Sequence, residues 1–84
     1  MGITATKLDN RDVYEIDYSD VDEEIDGETV TAVFTNPADG DKSSRTAVND
    51  GAFTVTVAAG YTGTDEVTIT GSDGGEVSGS IVFG

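Results

Sequence analysis

Apolar residues recur at every second position of this chain, and that period decides what the chain can fold into. In residues 13–18 ("VYEIDY"), Tyr14, Ile16 and Tyr18 fall on one side, and Val13, Glu15 and Asp17 on the other. Residues 28–35 ("ETVTAVFT") set Val30, Ala32 and Phe34 against threonines and Val33. The same alternation runs through Phe53, Val55 and Val57, through Val67 and Ile69, and through Val77, Ile81 and Phe83, with Gly79 between them. Residues two apart share one face of a strand, whereas a helix groups residues three and four apart, so these segments predict half-buried strands with one face in water. Twelve threonines and ten valines suit such pleated surfaces.

Turn signals separate the segments: "NPADGD" at 36–41, "NDG" at 49–51, "AAGYTGTD" at 58–65 and "SDGG" at 72–75. Residues 3–8 ("ITATKL") and 42–48 ("KSSRTAV") supply two further strands. About seven short strands at regular spacing predict an all-β fold, an immunoglobulin-like Greek-key β-sandwich formed as a single domain over residues 1–84. A domain of this length buries only about 60 % of the surface its unfolded chain exposes. Tyr61, just ahead of a strand near the C-terminal end, reads as a tyrosine corner whose hydroxyl bonds backbone across the end of the sandwich, with ligand stacking as the other reading.

The chain has no cysteine and no histidine. Disulfide staples, thiolate zinc sites, Ser/His and Cys/His nucleophile pairs and imidazole proton shuttles are thereby excluded. Its 17 acidic and 4 basic residues leave a formal charge of −13. Such a charge repels nucleic-acid backbones and anionic bilayers and favours multivalent cations or a basic protein surface, so the expected partners include neither nucleic acid nor membrane. No secretion signal and no run of eighteen apolar residues is encoded, and the chain reads as working where it is made or as an excerpt of something longer.

The acids concentrate in residues 17–28 ("DYSDVDEEIDGE"), which hold seven carboxylates and no cation. An EF-hand loop needs glycine at its sixth position and a bidentate acid at its twelfth. Counting from Asp22 places Gly27 sixth but Val33 twelfth, and counting from Asp20 places Ile25 sixth, so that loop is excluded. A looser calcium site would use Asp20, Asp22, Glu24 and Asp26, with Asp9 or Asp12 joining from another loop. The alternative is a solvated loop whose charge discourages aggregation. Acid–base catalysis by paired carboxylates needs two of them facing across a cleft, which a run of exposed acids does not provide. The four cations, Lys7, Arg11, Lys42 and Arg45, are scattered, and Lys42 and Arg45 share one segment.

Residues 51–75 ("GAFTVTVAAGYTGTDEVTITGSDGG"), above all Gly60, Tyr61, Gly63, Thr64 and Asp65, resemble the cadherin-like, immunoglobulin-like tandem repeats of bacterial adhesins and phage structural proteins. Residues 19–40 ("SDVDEEIDGETVTAVFTNPADG") are similar to the segment that precedes this motif in the family, and together the likeness covers about residues 19 to 83. It implies a β-sandwich used for adhesion, spacing or surface decoration rather than catalysis. Two departures stand out: Val67 and Ile69 replace a pair of aromatics, and the extra "EEI" at 23–25 disturbs the Asp-x-Asp spacing through which some relatives bind calcium.

The expectation from these readings is a non-enzymatic structural module with no cofactor, a small phage virion decoration protein bound to the major capsid protein or another virion protein. It would sit on the virion surface, alone or as a homo-oligomer. The alternative is one repeat of a secreted adhesin on a bacterial cell surface, with calcium at the acidic loop.

Overall fold

Alternation requires each strand to bury one face, and two sheets laid face to face meet that demand together. The computed structural model of the chain describes residues 2–8, 12–35 and 44–84. Seven strands occur among them: β1 (Thr4–Lys7), β2 (Val13–Asp17), β3 (Thr29–Phe34), β4 (Ser44–Val48), β5 (Ala52–Thr56), β6 (Gly63–Gly71) and β7 (Glu76–Phe83). They form a three-stranded sheet ordered β1-β2-β5 and a four-stranded sheet ordered β4-β3-β6-β7, and every pairing is antiparallel. The chain is an all-β, immunoglobulin-like sandwich measuring 35 × 21 × 18 Å.

Each face expected to be apolar points inward. Tyr14, Ile16 and Tyr18 from the first sheet meet Val30, Ala32, Phe34, Val67 and Ile69 from the second, and all are buried. Val33, out of phase with its neighbours, is 48 % exposed. Two expectations shift. The strand at 66–70 begins earlier, at Gly63, so the end of the motif "GYTGTD" is strand rather than turn. Of the segment 42–48 the described strand is Ser44–Val48; Lys42 and the turn at 36–41 lie outside the described residues, as does Arg11.

Phe83, 1 % exposed at the end of β7, is where the layers lock. The Tyr14 ring from the opposite sheet meets it edge-on with centroids 4.8 Å apart, Tyr61 approaches at 5.7 Å, and Phe34 lies at 6.4 Å. Edge-to-face aromatic pairs at such distances add about 0.5–1.5 kcal/mol beyond the area they bury. At the middle of β7, Ile3 packs over Gly79, its side chain 3.5–3.7 Å from where a Cβ would stand.

Replacing a buried aromatic ring by a methyl costs about 3–5 kcal/mol. Phe83→Ala should therefore remove much of the stability of so small a domain, whereas Val82→Ala, at a position 62 % exposed, should change it by less than about 0.5 kcal/mol. Urea unfolding followed by circular dichroism measures both.

Candidate functional site

The acidic stretch leaves β2 and returns as β3 across one end of the sandwich, the end that also carries residues 49–51 and the β6–β7 turn. Seven like charges on a short loop repel, so something other than the acidic side chains must hold the loop. Its backbone does so. Asp26 N–H donates to the Gly74 carbonyl at 2.9 Å and Asp73 N–H donates to the Asp26 carbonyl at 2.9 Å, an isolated antiparallel bridge between loop and hairpin turn. Ser72 N–H donates to the Thr29 carbonyl at 2.9 Å. Asp22–Glu24 form one turn of 3₁₀ helix, which aims Ile25 into the core at 4 % exposure. The residues that break the Asp-x-Asp spacing thus include the apolar anchor of the loop.

Two close approaches make this docking specific. Gly75 has φ +86°, and a Cβ there would collide with the Glu24 carbonyl oxygen. Asn49 clasps the loop from the other side: its Oδ1 accepts from the Tyr18 hydroxyl at 2.8 Å, and its Nδ2 donates to the Gly27 carbonyl at 2.9 Å. Its own N–H donates to the Glu28 carbonyl at 2.9 Å. Tyr18 is fully buried, so Asn49 satisfies a phenol that would otherwise be stranded in the core. In the sequence Asn49 shows only the turn signal of "NDG".

The side chains go the other way. Asp20, Asp22, Glu24 and Asp26 are all exposed, and among the described residues no three acidic side chains converge closely enough to hold a metal ion. Asp12 sits at the opposite end, where its carbonyl accepts from Val57 N–H, and Asp9 lies outside the described residues. At the edge of the loop, Asp17 accepts from the Ser19 hydroxyl at 2.6 Å and from Ser19 N–H at 2.8 Å. These bonds, the hydroxyl first, hold its carboxyl below the ordinary carboxylate value of 3.8. A lowered folded pKa means that the bonds stabilise the fold above pH 3.8 and lose that effect as pH falls through the folded value. The group is solvated, so the contribution is small.

Ten of the 17 acidic residues belong to this end: the seven of residues 17–28 together with Asp50, Asp73 and Glu76. The described cations lie away from it, Lys7 at the far end of β1 and Arg45 on β4.

The opposite end has a different chemistry. Asp65 is 2 % exposed, and its Oδ1 accepts from the Tyr61 hydroxyl at 3.1 Å while its Oδ2 is buried without a hydrogen-bond partner. Tyr61 is partly buried against the core. Its ring is a packing element, and the acceptor shown for its hydroxyl is a side-chain carboxyl where a tyrosine corner predicts backbone. The inward position of Asp65 was legible, since it stands in phase with Val67 and Ile69.

No family model matches the chain, nor does any curated protein or solved structure.

Two outcomes follow from this geometry. Gly75→Ala should destabilise by well over the roughly 1–2 kcal/mol that left-handed backbone alone costs a non-glycine residue, because the Glu24 carbonyl must also move. Gly60→Ala, at φ +80° with nothing within 4 Å, should show only that backbone cost; urea melts of the pair separate the two effects. Calcium and magnesium chloride at equal ionic strength should raise the melting temperature alike, by screening. A larger rise in calcium would show a selective site, since a ligand bound by the folded state alone adds to stability.

Proposed function

We propose that the chain is a non-enzymatic structural module that decorates a phage virion, attached to the major capsid protein or another virion protein. The observation that supports this reading best is the division of the sandwich into unlike ends. One end carries a backbone-pinned loop with most of the carboxylates facing water; the sheets carry threonines and serines on their outer faces, with few charges. A rod 35 Å long with a highly charged end suits attachment through an edge or the opposite end, with the acidic end displayed. A display role needs a rigid scaffold and a contact, and it needs no cleft. Many copies on a repeating surface would compensate for the small footprint of each contact.

The resemblance carried by Gly60, Tyr61, Gly63, Thr64 and Asp65 supports a second reading, one repeat of a secreted bacterial adhesin in which calcium at the acidic end stiffens the junction with a neighbouring repeat.

A density gradient of lysate from the source organism, probed for this chain, separates the two. The expected result is a band near the size of one domain that travels with virions. A large polypeptide in the membrane or secreted fraction would replace decoration by the adhesin reading.

A further inference from the structure

A two-sheet sandwich has four outer edges, and each is a row of backbone donors and acceptors that another strand can use. Three of the four are managed here. β1 runs alongside β7, with Ile3 over Gly79, so those two edges cover each other. β4 carries Arg45 in register with buried Ala32, on the row that faces inward, and a charge so placed opposes the addition of a strand. β5, at the edge of the three-stranded sheet, carries neither charge nor proline in Ala52–Thr56, and among the described residues no strand is hydrogen-bonded along the outer side of Ala52 and Thr54.

The direction of its backbone groups follows from two bonds. Tyr18 N–H donates to the Gly51 carbonyl and Val57 N–H donates to the Asp12 carbonyl, both at 2.8 Å, so positions 51 and 57 face β2. Alternation makes Phe53 and Val55 face β2 as well, and turns the N–H and C=O of Ala52 and Thr54 outward. Among the described residues no strand is hydrogen-bonded on that side, though β4 comes near β5 from the other sheet.

We propose that the open edge of β5 accepts an extended segment of a partner protein whose side chains alternate between apolar and basic. The apolar set would fall on the core side, beside Phe53 and Val55. The basic set would fall on the outer face, next to Ala52 and Thr54. On that face Glu15 stands opposite Thr54, and Asp17 opposite Ala52. The added strand lies two strand spacings, about 10 Å, from these carboxylates. Ala52 and Thr54 are short, so a lysine or arginine stem laid across them reaches Glu15 and Asp17. A second copy fits poorly, because its β5 brings no cation and its charge of −13 repels. The inference names the contact surface of the proposed attachment, and it rests on that reading for a virion protein as the partner.

A synthetic peptide alternating lysine and valine is the probe, titrated into the full chain with backbone amides followed by NMR. Binding should shift the amides of Ala52 and Thr54 and slow their hydrogen exchange. Thr54→Pro removes only an outward N–H, so it should weaken binding about tenfold or more, a loss of about 1.4 kcal/mol, while the fold persists. If that variant melts low, Thr54→Lys, which repels the peptide while keeping the backbone, takes its place. Equal binding by the edge variant, equal binding by a peptide of the same composition with its lysines and valines in blocks, or self-association of the chain through β5 would each overturn the proposal. Particles separate it from the reading beneath it. A Thr54→Pro chain that still travels with virions overturns the β5 edge and keeps decoration. A chain that binds the peptide at Ala52 and Thr54 but never travels with virions keeps the edge and overturns decoration.

Discussion

The sandwich depends on one aromatic meeting at the end opposite its charges. Phe83 closes the last strand, and rings from the facing sheet, from its own sheet and from the β5–β6 connection all pack against it. An 84-residue chain without cysteine has no disulfide between its sheets, so apolar contact across the layers must supply their cohesion. Placing the largest side chains at that end concentrates this contact where β2, β3 and β7 come together. Tyr61 and Asp65 are added to the same cluster, a phenol and a carboxyl sharing a hydrogen bond beside it.

The acidic end solves a different problem. Its carboxylates repel one another, and every one of Asp20, Asp22, Glu24 and Asp26 stays in water. The chain holds the loop in place through backbone bonds to the hairpin turn, through Ile25 in the core and through the Asn49 amide. Backbone attachment is indifferent to side-chain charge, so these bonds hold the loop whatever its acidic side chains meet.

Much of this was legible residue by residue. Alternation assigned an inward face to Tyr14, Ile16, Tyr18, Val30, Ala32, Phe34, Val67 and Ile69, and each is buried. Turn chemistry marked 49–51 and 72–75. Asp65 was open to the same argument, being in phase with Val67, but a carboxylate in a turn motif reads as exposed until the strand is seen to start at Gly63. Asn49 showed its turn but not its clasp, because its partners Tyr18 and Gly27 are 31 and 22 residues away. The acidic loop showed its charge in sequence, though not the direction in which the carboxylates point.

By itself, then, the sequence determined the period, and with it the strands, their inner and outer faces, the absence of disulfides and the concentration of negative charge. Those properties are local or additive, and each can be read from neighbours a few residues apart. Which strands lie side by side, which edge stays open at β5 and which backbone amides there point outward were decided only by the tertiary structure. They depend on pairings between distant segments, whose hydrogen bonds form with any side chain and so leave little trace in residue type.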